Sequence, residues 1–313
     1  MARYLVTGGA GFIGSNLVRY ILDRGGEAVV LDNFATGKRE NLADVMDRIE
    51  LIEGDIRDAE TVRRAADGCG AIFHEAALGS VPRSVDDPVT SHDVNVNGTI
   101  NVLEAARAGG QRVIFASSSS AYGNQAESPK HEGMVPAPIS PYAASKVSCE
   151  GYMRGYAAAY GMETISLRYF NVFGPRQDPA GAYAAVIPAF VSRLLRGQRP
   201  VVFGDGEQSR DFCYIENVCE ANRLAAEAPP DVCDGRAMNI ACSRRTTLNQ
   251  ILDQLRGLMG VQIDAEYRPP RAGDVKHSLA DVSLARASIG YEPKIHFQEG
   301  LAKAIEWYRR NPA

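Results

Sequence analysis

Arg3-Tyr-Leu-Val-Thr7 runs straight into Gly8-Gly-Ala-Gly11-Phe-Ile-Gly14, and the reading of this stretch decides the fold. A short apolar strand ends in a glycine turn, and a helical pattern over Phe12 to Arg24 follows at once. Glycines at positions 8, 11 and 14 permit a tight turn and let the backbone approach a pyrophosphate, while the helix N-terminus offers unpaired N–H groups. A second strand, Ala28 to Asp32, completes a βαβ unit that ends on a carboxylate. Asp32 in that position accepts both hydroxyls of an adenosine ribose and repels a 2′-phosphate, which favours NAD over NADP. Lys38 and Arg39 just downstream pull the other way. After a third strand, Asp55 in Gly54-Asp-Ile56 is placed to accept from an adenine amino group; an ordinary turn aspartate carries the same signature.

The alternation continues. Ile49 to Glu53, Ala71 to His74, Arg112 to Ala116 and Thr164 to Arg168 read as buried strands, with long helical segments over Pro88 to Arg107 and Pro141 to Tyr160. Such a pattern predicts an α/β, Rossmann-like, doubly wound parallel sheet with right-handed crossovers. Beyond Arg168 the rhythm breaks into loops rich in Gly, Pro, Asp and Arg between shorter helices such as Thr247 to Met259. We expect a dinucleotide-binding domain over 1–175 and a smaller C-terminal α/β substrate lobe over 176–313, with an interleaved boundary.

A net charge of −4 over 313 residues, with no polybasic arm, argues against nucleic acid and anionic membranes as partners. There is no membrane-length apolar run, and the first strand begins where a leader would stand. Six scattered cysteines without a Cys-x-x-Cys pair, and five histidines without His-Glu-x-x-His, indicate reduced thiols, a cytoplasmic setting and no structural metal.

Ser140-Pro141 supplies an N-cap and a first helical residue, so Tyr142 and Lys146 in Tyr142-Ala-Ala-Ser-Lys146 stand at i and i+4 on one face. The ammonium favours the phenolate of its neighbour and makes a tyrosine usable as a general base. The same spacing also arises as plain packing plus a solvated charge. What lifts it here is the serine run Ser117 to Ser120 ahead of it and the glycine turn at the N-terminus.

Together with Leu167-Arg-Tyr-Phe-Asn171-Val-Phe-Gly174-Pro-Arg, these motifs resemble the extended short-chain dehydrogenase/reductase family, from about Arg3 to Trp307. Within it the chain is similar to the nucleotide-sugar 4-epimerases. Ala76-Ala-Leu-Gly-Ser80-Val-Pro-Arg83, Gly181-Ala-Tyr-Ala-Ala185-Val-Ile-Pro188 and Gly204-Asp-Gly-Glu-Gln208-Ser-Arg210-Asp211-Phe212 point to a branch acting on UDP-N-acetylglucosamine. The resemblance implies that Tyr142 removes the proton of the sugar 4-hydroxyl while C4 passes hydride to a bound nicotinamide, giving a 4-keto sugar and NADH. Lys146 then holds the nicotinamide ribose and Ser118 bonds O4, with Ser119 and Ser120 near enough to share that task. The same hydride returns to the opposite face, so NAD stays bound and is recycled.

Further cofactor contacts implied are Phe12, Ile13, Asn33, Gly37, Ile56, Ala76 and Phe170. The UDP end falls to Asn171, Ala185, Val186, Phe203, Gln208, Arg210, Arg271 and Asp274, the two arginines being suited to a diphosphate. Ser278 occupies the position where a bulky residue closes the pocket to a 2-acetamido group, so UDP-glucose, UDP-galactose and their N-acetylated counterparts are expected substrates. Ser80 and Arg83 are candidate sugar contacts, and the two long helices imply a homodimer. A dehydratase or a decarboxylase of this fold would want acidic residues where Ser119 and Ser120 stand. UDP-glucuronate 4-epimerase is the nearest enzymatic alternative, and a non-catalytic NAD(H)-sensing protein is the alternative of another class.

Overall fold

The first strand lies inside the main sheet, between the second and the fourth. In the computed structural model, which describes residues 2–179, 185–270 and 277–311, six strands follow one another: β1 (Arg3–Thr7), β2 (Glu27–Asp32), β3 (Ile49–Glu53), β4 (Ala71–His74), β5 (Arg112–Ser118) and β6 (Thr164–Tyr169). Short strands then appear in the second half: β7 (Val172–Phe173), β8 (Val201–Phe203), β9 (Ser209–Arg210), β10 (Cys213–Tyr214), β11 (Asp234–Ile240), β12 (Thr246–Thr247) and β13 (Glu266–Arg268). The main sheet has seven parallel strands in the order β11-β6-β5-β4-β1-β2-β3. Strand order reverses between β1 and β4, and the crevice beyond their C-terminal ends is where an open α/β sheet takes its ligand. β11 comes from the second half of the chain, so the sheet itself ties the two halves together. The remaining short strands pair as β7 with β10, β8 with β13 and β9 with β12.

Period-2 alternation builds two core layers. Leu5, Val29, Leu31, Ile72, Val113 and Phe115 face one way, toward α2 (Ala59–Ala66 in this numbering, after α1 at Phe12–Leu22) and the helices that follow it. Val6, Val30, Phe73 and Ile114 face the other way, where Leu17, Val18 and Ile21 of α1 meet them. The expected helix over Pro88 to Arg107 is present and contains one π-helical turn. After α3 (Val81–Asp86), α4 (Pro88–His92) runs into a π-helical turn at Asp93–Asn97 and then α5 (Gly98–Gly109). The sequence Asp-Val-Asn-Val-Asn-Gly favours no regular helix, and the carbonyl of Asn95 accepts from Thr99 Oγ1 and Cys149 Sγ rather than serving only the helix ladder. α6 occupies Pro141–Tyr160 as expected, and the first helix stops at Leu22, short of Arg24. The second half adds α7 (Val186–Leu195), α8 (Ile215–Ala226), α9 (Leu248–Met259), α10 (Ser283–Ile289) and α11 (Phe297–Arg310). Thr247 caps α9 in a full capping box with Gln250.

Candidate active site

A cleft of about 670 Å³ opens over the C-terminal ends of β1, β2, β4 and β5. Gly8, Gly11, Phe12, Ile13, Gly14, Asp32, Asn33, Asp55, Ile56, Ala76, Tyr142 and Lys146 all line it. The glycines are required by space. A Cβ on Gly14 would lie 2.2 Å from the Gly8 carbonyl oxygen, and one on Gly8, at φ +69, would lie 2.7 Å from the Ala76 backbone. Gly11 is the N-cap of α1 and provides no side chain, so the first-turn N–H groups face the cleft. Asp32 is buried at the end of β2 and accepts from the amides of Ala10 at 2.9 Å and Phe34 at 2.8 Å. The opposing cations are occupied elsewhere: Lys38 pairs with Asp178 at 2.9 Å, and Arg39 pairs with Glu53 while lying over the Phe34 ring. These features fit a dinucleotide with free ribose hydroxyls.

Asp55 lines the adenosine end but is already engaged. Arg57 grips it with two bonds, Asn33 adds a third at 2.9 Å, and the Arg57 guanidinium holds its carboxyl down at about 2. Two expected cofactor contacts stand behind the wall of the cleft. Gly37 packs on Ala10 and Asp32, where a Cβ would come within 3.0 Å, and Phe170 is fully buried against the Tyr122 ring. Gly37 is a spacing residue for the Asp32 turn, and Phe170 faces the core because Tyr169 beside it takes the cleft side.

At the other end of the cleft, Ser140 caps α6 by accepting from Ala143 N–H, and Ser84 Oγ accepts from Tyr142 N–H at 3.0 Å. Tyr142 is therefore set from both sides of the helix start. The Lys146 ammonium is buried, donates to the Ala116 carbonyl at 2.7 Å and lies 5.9 Å from the centre of the Tyr142 ring. Among the serines, Ser117 lines the cleft wall but donates its hydroxyl to Glu150. Ser118 accepts from Ser120 twice, through the amide and the hydroxyl, and neither bond uses its own proton. Ser119 and Ser120 open a 3-10 turn that follows it. Of the serine run only Ser117 is among the residues that line the cleft; Ser118, Ser119 and Ser120 follow it at the end of β5 and are not part of that lining.

Several residues that serve this site escaped the sequence reading. Glu150, one turn beyond Lys146, is gripped by Arg168 through bonds of 2.8 and 2.7 Å, and the Arg168 guanidinium stacks on Tyr122. Asn95 in the π turn accepts from Leu78 N–H at 2.8 Å and donates to Ser145 at 3.0 Å, joining the cleft loop to α6. Glu75 follows β4 and lines the cleft; burial pushes its carboxyl up to about 7. Its neighbour His74 sits between Thr7 and Thr99, and burial pushes it down to about 3. A polar residue ending a buried strand is the signal that marks these, and it does not name their partners.

A second pocket of about 300 Å³ begins two residues past Tyr169. Asn171, Ala185, Val186, Phe203, Gln208 and Arg210 all line it, as expected. Asn171, at φ +32, donates to the Asp211 carbonyl and turns the chain out of β6. Ser278 donates its amide to Ser209 at 3.0 Å, beside Arg210, and does not line this pocket. Ser80 caps α3 by accepting from Arg83 N–H, while Arg83 itself reaches the first cleft. Arg271 and Asp274 lie outside the described residues. Among the described residues, no group of three His, Cys, Asp or Glu is placed to hold a metal, and no helix is long and apolar enough to cross a membrane.

The chain is similar to known proteins along its whole length. The model of the NAD dependent epimerase/dehydratase family matches residues 4–241. A UDP-glucose 4-epimerase of Mycolicibacterium smegmatis is 39% identical over 312 residues, covering 98% of each chain. A UDP-N-acetylglucosamine 4-epimerase of Methanobrevibacter ruminantium, solved with UDP-N-acetylmuramic acid, has a TM-score of 0.93 at 38% identity and covers 99% of both chains. A Thermus thermophilus UDP-glucose 4-epimerase solved with NAD gives 0.87 at 39% identity, covering 98% of this chain and 99% of that one. The glycine turn, the Tyr142/Lys146 pair and these whole-length likenesses place the chain in the NAD dependent epimerase/dehydratase family.

Proposed function

We propose that the chain is an NAD-dependent nucleotide-sugar 4-epimerase that interconverts UDP-glucose with UDP-galactose and UDP-N-acetylglucosamine with UDP-N-acetylgalactosamine. The observation that carries this is the pair of pockets flanking one short segment: Tyr169 lines the cofactor cleft and Asn171 the second pocket. A nucleotide handle fixed by Phe203, Arg210 and Asn171 would project its sugar toward Tyr142. Tight binding of the unchanging handle supports chemistry at C4 while leaving the sugar loose enough to turn over.

Gly8, Gly11, Gly14 and Asp32 would hold NAD, which supplies the oxidant that takes the C4 hydrogen and gives it back. Tyr142 takes the proton of the 4-hydroxyl and later returns it to either face. Lys146, anchored on the Ala116 carbonyl, holds its side-chain nitrogen 5.9 Å from the centre of the Tyr142 ring. Ser118 donates to O4 as it becomes a carbonyl oxygen. The sequence resemblance assigns Arg271 and Asp274, outside the described residues, to the nucleotide and Ser278 to the room for a 2-acetamido group.

The outward face of α6 supports a homodimer: Ser148, Gly151, Gly155 and Ala159 make a row of small side chains between half-exposed Tyr152 and Tyr160. Six free, buried cysteines support a reducing, cytoplasmic setting.

The deciding experiment incubates purified protein separately with UDP-glucose, UDP-N-acetylglucosamine and UDP-glucuronate and reads C4 stereochemistry by proton NMR. Inversion of the first two is expected. Tyr142→Phe should lose turnover by about 100-fold or more while retaining NAD. Conversion of UDP-glucuronate alone would reassign the substrate, and unimpaired Tyr142→Phe would remove the mechanism.

A further inference from the structure

Glu75 is the one acidic side chain at the hydride-transfer end of the cleft whose carboxyl has no cationic partner within ion-pair distance among the described residues. The cleft runs from Asp32 and Asn33 beyond β2, over the glycine turn of β1, to Tyr142 and Lys146 beyond β4 and β5. Glu75 lies just past β4, on the Tyr142 side of the glycine turn, with its amide on the Thr7 carbonyl. The other acids of the cleft are at the opposite end, where Asp32 holds backbone amides and Asp55 is paired with Arg57. A hydrogen-bond chain aims the Glu75 carboxyl. Asn222 Nδ2 donates to the Val218 carbonyl and to the Tyr169 hydroxyl at 2.8 Å, which leaves the Tyr169 proton to be donated to Glu75 Oε1, also at 2.8 Å. The charged and titratable groups around it are Lys146 from α6, Tyr169 from β6 and Cys219 from α8; His74, the residue before it, turns to the other face of the sheet, between Thr7 and Thr99.

We propose that Glu75, when ionised, sets the redox poise of the bound cofactor by placing a negative charge beside its nicotinamide half. This rests on the cofactor reading of the cleft given above. The oxidised nicotinamide ring is cationic and the reduced ring is neutral, so a carboxylate held in a low-dielectric wall stabilises the oxidised form. Lys146 acts in the opposite sense from the other side. An enzyme that must give back the hydrogen it takes gains from a cofactor that resists staying reduced, because the keto sugar is then recaptured before it escapes.

The test is an equilibrium titration of the bound cofactor against a soluble redox mediator, followed by near-ultraviolet absorbance at about pH 8.5, where the carboxyl is ionised. Glu75→Gln keeps an acceptor for Tyr169 and removes only the charge; Glu75→Leu removes both. Both variants should hold the reduced cofactor at least tenfold more readily than the parent, a positive shift of about 30 mV for a two-electron couple. They should also purify with a larger reduced fraction. Parent-like ratios in both variants would overturn the proposal and leave Glu75 a packing residue. A parent protein that binds no NAD would instead remove the cofactor reading itself, which the titration distinguishes at its first step.

Discussion

His74 and Glu75 are chain neighbours that face opposite sides of the sheet, and their protons respond to pH in opposite senses. His74 has a folded value near 3 against about 6.5 in the open chain, so the unfolded protein binds its proton more readily. Its contribution to stability is present above about pH 6.5 and is lost as pH falls toward 3. Glu75 has a folded value near 7 against 4.5, so its contribution is present below about pH 4.5 and is lost as pH rises through 7. Between 4.5 and 6.5 the two slopes oppose each other. In cofactor-free protein, His74→Gln should therefore tilt the stability profile downward with rising pH relative to the parent, by up to about 1.4 kcal/mol per pH unit. Glu75→Gln should tilt it upward by a similar amount. Urea midpoints at three pH values across that window decide it; parallel profiles for parent and variants would show that neither group is buried as described.

The element that bears Tyr142 and Lys146 is α6, and it is tied down from below. Arg168 on β6 forms a buried ion pair with Glu150 of α6, and Ser117 on β5 donates to the same carboxylate, so both strands are tied to the helix bearing Tyr142 and Lys146. Removing one charge strands the other in the core. Arg168→Leu should cost about 3–5 kcal/mol in chemical denaturation, and adding Glu150→Leu should restore most of it. A single variant as stable as the double would show that water reaches the pair. How far this was legible depends on sequence distance. The i, i+4 spacing of Tyr142 and Lys146 and the Ser140 cap are local, so they could be read directly, as could the glycine turn. Arg168 and Glu150 are 18 residues apart, and Glu75 and Tyr169 are 94 apart, so no periodicity connects them. The π turn around Asn95 was hidden for another reason: it is a short polar interruption inside a longer helical stretch, and the groups its side chain bonds, Leu78 and Ser145, lie far along the chain.

At the scale of the whole molecule, sequence order did not reveal that β11 would join the main sheet, because a seven-residue strand with two interior polar residues reads like a loop margin. The proposed dimer belongs to this scale. A Cβ on Gly151 or Gly155 meets nothing within 4 Å in the protomer, so a side chain there does not disturb the fold. Gly155→Arg should convert a particle of twice the chain mass into one of single mass, measured by light scattering on a sizing column, with little change in thermal midpoint. A parent protein already at single mass would end the dimer proposal. β11 also bears on synthesis. A ribosome that has delivered the chain as far as Tyr169 has supplied every strand beneath the cofactor cleft, yet β6 then stands as a bare sheet edge until Ile240 emerges. For about 70 codons the nascent protein carries an unpaired strand edge of the kind that recruits other chains, and its safe passage depends on how quickly residues 170–240 are translated.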